Sequence, residues 1–174
     1  MTAAMTKAAQ PLGFQISPTS EKRLRGVHPD LVRVVRRMAA DWNSGNTGFI
    51  ITCGVRSLEE QKEMVRAKAS RTLRSRHIPA ANGFAHAVDF ACTLLVKGKA
   101  VPKWDWPLFI VLANAMKAAA IAEKVPVEWG GTWDLLNDVK GALTAAMLHK
   151  KFPDGPHFQL PWAAYPGTTK GVKK

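Results

Sequence analysis

Two short polar segments, far apart in the chain, set the tightest condition on the fold. One is Ser75-Arg76-His77, followed by Gly83-Phe84-Ala85-His86-Ala87-Val88-Asp89; the other is Asp154-Gly155-Pro156-His157-Phe158. Together they offer the imidazoles and carboxylates needed for a three-ligand zinc site with an open fourth position, with a carboxylate left over to handle protons. Isolated histidines and aspartates are common, so spacing alone leaves the choice open between a metal centre and unrelated side chains. If residues 85–94 form a strand, Ala85, Ala87 and Asp89 share one face, and His86 and Val88 share the other. Asp89 is then a candidate ligand and His86 a structural histidine. His77 lies in the loop entering this strand, where a ligand can be placed freely. A Gly-Pro turn separates Asp154 from His157 and puts the carboxylate near any metal the histidine binds. Asp154 is therefore a candidate general base, with an ordinary turn aspartate as the alternative. Arg56 follows directly on a strand; it could polarise a scissile carbonyl, or simply pair with Glu59 or Glu60.

The remaining pattern alternates helix and strand signals. Residues 28–42 carry Leu31, Val34, Val35 and Met38 at helical spacing, and residues 49–53 read as a buried strand. Ser57 with Glu60 forms a capping box that opens a helix to about Lys68. After a basic loop and the strand at 85–94, Lys97-Gly98-Lys99 predicts a tight turn. Asp105-Trp106-Pro107 starts an Ala-rich helix ending near Lys124. A strand is expected at 125–129, a helix over 133–151 with Leu135, Leu136, Val139, Leu143 and Met147 on its apolar side, and a last strand at 157–160. The expectation is one α+β domain with a small, mainly antiparallel sheet flanked by helices and holding the site. A chain of 174 residues with 47% hydrophobic content supports a core of that size.

No run of about 18 uniformly apolar residues predicts a membrane span, and residues 1–10 lack an apolar run of signal-peptide length. Cys53 and Cys92 lack metal spacing and read as reduced, buried thiols. Lys and Arg number 25 against 13 Asp and Glu, a net charge of +12. This favours polyanionic partners. No nucleic-acid-binding motif accompanies it, and no exposed aromatics are interleaved with the basic residues, so nucleic acid is not expected.

The segments resemble the zinc peptidase family that includes the VanX and VanY D-Ala-D-Ala peptidases and the phage L-alanyl-D-glutamate peptidase endolysins. That family's pattern is Ser-x-His, then Gly-x-Ala-x-Asp, and later Glu or Asp-x-x-His-Phe; Ser75-Arg76-His77, Ala87-Val88-Asp89 and Asp154 to Phe158 stand in those places. Arg56-Ser57, with Gln61 downstream, is similar to the family's Tyr-Arg-Ser segment, with Val55 in place of the tyrosine. Residues 26–31, 104–107, 128–133 and 157–161 resemble the endolysin branch in particular. The spacer from His77 to Asp89 is longer than usual and Ala85 stands where glycine is common, which makes His86 the rival first ligand.

The resemblance implies that His77, Asp89 and His157 bind zinc, that Asp154 is the catalytic base and Arg56 the oxyanion partner, and that Ser75 supports the first ligand. It implies a zinc endopeptidase that cuts the L-Ala–D-Glu bond of peptidoglycan stem peptides. The alternatives are a D-Ala-D-Ala carboxypeptidase of the same fold or a non-enzymatic, basic wall-binding protein. The expected layout is a flexible segment at 1–19, a catalytic domain at 20–166 and a basic tail at 167–174. The expected protein is a monomer whose basic surface adheres to anionic lipopolysaccharide. It would stay in the host cytoplasm until holin-dependent release to the periplasm and cell wall.

Overall fold

The computed structural model describes residues 13–167; the expected flexible start and basic tail fall largely outside them. Phe14 already packs, its ring 4.5 Å from that of Phe49, so the packed chain begins ahead of residue 20.

Four helices form where local signals favour them. Helix α1 (Pro18–Leu24), not anticipated from the sequence, is capped by Ser17, whose side chain accepts from the Ser20 backbone, with proline in the first turn. Helix α2 (Pro29–Ala40) is capped by His28, whose Nδ1 accepts from Asp30 N at 3.2 Å. Helix α3 (Leu58–Arg66) has the expected capping box of Ser57 and Glu60. Helix α4 (Trp106–Glu123) ends at Lys124, which adopts the left-handed conformation. By length and mean hydropathy alone α4 could cross a membrane, although Asn114, Lys117 and Glu123 interrupt its apolar run. Instead it packs along α2, burying Phe109, Leu112, Ala113 and Met116 in the core.

The sheet contains β1 (Thr47–Cys53), β2 (Ala87–Val96), β3 (Lys99–Lys103), β4 (Glu128–Trp129), β5 (Asp134–Leu135) and β6 (His157–Gln159), in the order β1-β2-β6-β4-β5 with β3 also on β2. All named strand pairs are antiparallel, as expected for this α+β domain. Strand β2 is ten residues long, and one of its edges serves two partners: β6 along residues 87–89 and β3 along 92–96. Strands β3 and β5 were not anticipated, and the strand expected at 125–129 contracts to its last two residues.

Side-chain alternation then divides the molecule. Val88, Phe90 and Cys92 of β2, with Phe49, Ile51 and Phe158 beside them, join the core under α2 and α4. The intervening Asp89 points to the opposite face. One face of the sheet makes the core; the other carries Asp89.

The helix expected over 133–151 does not form. That stretch holds β5 and two short 3-10 turns, Leu136–Asp138 and Ala145–Met147. Its hydrogen bonds, from backbone and side chain alike, reach outside the stretch. Asn114 of α4 accepts from Leu143 N and donates to Leu143 O, while Asn137 accepts from Val127 N and donates to Val125 O. Gly141, at φ 70°, supplies a left-handed turn that a regular helix would exclude. Leu136 and Leu143 are buried as apolar spacing suggested, but Met147 is exposed. Burial of two anchors imitates helical periodicity without a helix.

Candidate metal centre and cleft

Three adjacent strands lay out a row of polar side chains. The register opposes Cys53 of β1 to Asp89 of β2, and Asp89 to His157 of β6. Directly opposed residues project on the same face. The β1–β2 register shifts between Ile51 and Cys53, so a bulge re-aims the strand end at the site. His77 is held from the loop before β2: its backbone carbonyl accepts from Arg56 N, and its Nδ1 lies 2.7 Å from Gly54 O.

Three ligand-type atoms converge. His77 Nε2 is 3.0 Å from Asp89 Oδ1 and 3.3 Å from His157 Nδ1, and His157 Nδ1 is 3.0 Å from Asp89 Oδ1. Donors bonded at about 2.0–2.1 Å in a tetrahedron stand roughly 3.3 Å apart, so the triangle fits zinc. Outer partners fix the tautomers. His77 Nδ1–H donates to the Gly54 carbonyl, which leaves Nε2 as a lone pair. Gln159 donates its amide to Glu128, so its oxygen faces His157 and takes the proton of Nε2, leaving Nδ1 as a lone pair. Two lone pairs and a carboxylate oxygen, facing one another, call for a cation at their centre. The same centre also attracts a proton, which a metal would displace from Nε2. Burial disfavours charge on His77, but Asp89, aided by Cys53, outweighs it and raises the pKa to about 10. Burial alone would raise Asp89; the imidazoles of His77 and His157 instead hold it well below the usual carboxylate range.

Cys53 is the member that sequence reasoning set aside. Its sulfur, with His77 and Asp89, forms a group of possible metal donors within 4.8 Å of one another. Its place at a strand end three residues before Arg56 was the available signal. Burial raises its thiol, but His77 and Arg56 reverse this and lower it overall. Cys92 is buried on the core face, its thiol pushed up to about 12 by burial.

Arg56 does not pair with Glu59 or Glu60. Glu60 closes the cap of α3 and Glu59 pairs with Lys62. Arg56 instead donates to Gln61 Oε1 at 2.8 Å, to Asp89 Oδ2 at 3.3 Å and to Cys53 Sγ at 3.4 Å. Ser75 accepts from His77 N at 3.2 Å, steadying the loop that carries His77. Asp154 lines the same cleft, of about 550 Å³. Burial raises its pKa, the charge of Asp89 adds to this, and His157 and Arg56 oppose it. Gly130 forms the floor of its turn: a Cβ there would meet Asp154 O at 2.6 Å. His86 lies apart, its ring 5.1 Å from that of His28 and 6.2 Å from that of Tyr165, as strand alternation required.

A family model for phage L-alanyl-D-glutamate peptidases matches residues 12–161. Among solved structures, the Serratia marcescens L-Ala D-Glu endopeptidase ChiX is similar. It shares 37% sequence identity at a TM-score of 0.68, and the match covers 90% of this chain and 96% of that one. No curated protein matches. The matched span contains the sheet and all five residues singled out for catalysis and metal binding, and the chain belongs to the phage L-alanyl-D-glutamate peptidase family.

Proposed function

We propose that this chain is an endolysin that hydrolyses the L-Ala–D-Glu bond of peptidoglycan stem peptides, with zinc held by His77, Asp89 and His157. Family membership and the likeness to the Serratia endopeptidase support the bond cut. The observation that carries the chemistry is the 3.0–3.3 Å triangle of donors beside a half-buried carboxylate of raised pKa. His157 is preferred to Cys53 as third donor because its lone pair is aimed into the triangle, whereas the thiol accepts from Arg56.

Zinc at those donors would acidify a water and polarise the scissile carbonyl. Asp154 takes a proton from the attacking water and passes it to the leaving nitrogen; its raised affinity for protons suits both halves of that transfer. Arg56, oriented by Gln61 and Asp89, offers positive charge to the developing oxyanion. The net charge of +12 supports adherence to anionic wall polymer and lipopolysaccharide by a monomer. Family membership supports synthesis in the host cytoplasm and holin-dependent release to the wall. The test is digestion of purified peptidoglycan with mass spectrometry of the new termini. N-terminal D-Glu is the expected product; released D-Ala alone would show a carboxypeptidase instead.

A further inference from the structure

We infer that Arg71 and Arg74, on the segment joining α3 to His77, form a carboxylate clamp at the rim of the cleft. They hold the free carboxyl group of the glutamyl residue just beyond the scissile bond. The inference rests on the peptidase assignment above and adds the residues that read its substrate.

Both side chains line the cleft that contains His77, Asp89, Asp154 and His157. Each guanidinium is laid on an aromatic ring of the same cleft: Arg71 lies 4.6 Å from the centre of Phe152, and Arg74 lies 4.3 Å from the centre of Trp162. A face-stacked guanidinium keeps its in-plane N–H groups free, and these match a carboxylate edge in a bidentate pair. Neither arginine has a carboxylate partner among the described residues, whereas Arg33, Arg36, Arg37, Arg56 and Arg66 all do. Arg76, the next arginine along the chain, also lies on Trp162, 4.1 Å from its centre, but it is buried and gives its N–H groups to the carbonyls of Leu160, Pro161 and Tyr165. The two acids of the cleft cannot serve the rim pair. Asp89 is taken by the histidines and Arg56, and Asp154 sits in the turn on Gly130.

The segment is also held in place. Buried Gln61 donates to Ser70 Oγ at 2.9 Å and to Thr72 O at 2.8 Å, while its oxygen accepts from Arg56. Arg74 N donates to Thr72 Oγ1 at 2.9 Å. One glutamine thus ties the rim to the arginine beside the metal donors, so a substrate gripped by the rim is registered against the reacting bond. The substrate supplies the matching charge by its constitution. A glutamyl residue has two carboxyl groups and a chain continuing past it uses one, so the other remains free and anionic near neutral pH.

The test uses two synthetic peptides that contain L-Ala–D-Glu followed by the same next residue and differ only at that carboxyl group. In one it is the free acid, in the other the primary amide. kcat/KM is measured for the zinc-loaded wild type and for Arg71→Gln, Arg74→Gln and the double variant. A charge-assisted hydrogen bond is worth roughly 10- to 100-fold. The wild type is expected to prefer the acid by at least about tenfold. Each variant is expected to lose about tenfold more on the acid than on the amide, and Arg74→Lys to recover part of the preference. Equal losses on both peptides, or an undiminished preference for the acid in the double variant, would overturn the clamp and leave the peptidase assignment intact. Failure of the wild type to cut either peptide after alanine would refute the assignment, and the clamp with it.

Discussion

Acid should destabilise this fold through His86, a residue that takes no part in the chemistry. The ring is buried between the rings of His28 and Tyr165, and its Nε2 accepts from Asn82 Nδ2 at 3.3 Å. A proton on Nε2 would set two donors face to face and add a cation near Arg76. Burial first, then Arg76 and His28, push the pKa from 6.5 down to about 4. A depressed histidine is neutral in the folded state, so its contribution to stability is complete above the unfolded value. Below that value the unfolded chain binds the proton first, and stability falls until the folded pKa is passed. Linkage with these two values removes about 2 kcal/mol between roughly pH 7 and pH 5. For a domain of this size that is roughly 4–8 °C in Tm. Urea denaturation of the wild type and of His86→Gln at the two pH values, with all other titrating groups in common, isolates this effect. The wild type should lose about 2 kcal/mol more than the variant over that interval. Parallel losses would refute the argument, because His86 would then titrate alike in both states.

Three further outcomes are expected at the site. Asp154→Asn should keep its zinc by elemental analysis yet lose about 10²- to 10⁴-fold in kcat, because the amide cannot move protons. His157→Ala should lose zinc while Cys53→Ala retains it; the reverse pattern in metal stoichiometry would exchange the third donor. Gly130→Ala should cost about 1–3 kcal/mol in denaturant titrations, since its Cβ would press on Asp154 O. Activity per folded, metal-loaded molecule should fall as well, and full specific activity would show that the turn can move without consequence.

Local signals in the sequence were sufficient wherever one element's residues decide its state. The capping box at Ser57 and Glu60, Pro29 and Pro107 in first turns, and the apolar spacing of α2 all act within a few residues and form as read. Alternation likewise assigned Asp89 and His86 to opposite faces, because period two is a property of the strand itself. Such rules failed at 133–151, where backbone groups of Leu136, Leu143 and His149 bond to Val127, Asn114 and Gly131 instead of continuing a helix. They also missed the lowered thiol of Cys53, whose neighbours His77 and Asp89 lie 24 and 36 positions along the chain.

By itself, then, the sequence determined the helix starts, the side of β2 on which chemistry could occur, and the residue types available for it. Tertiary structure alone decided that Cys53, Asp89 and His157 stand in one row, through antiparallel register across three strands. It also decided which nitrogen of each imidazole faces the centre, because Gly54 and Gln159 take the opposite protons. Register and tautomer depend on partners remote in the chain, and no local pattern encodes a distance between strands.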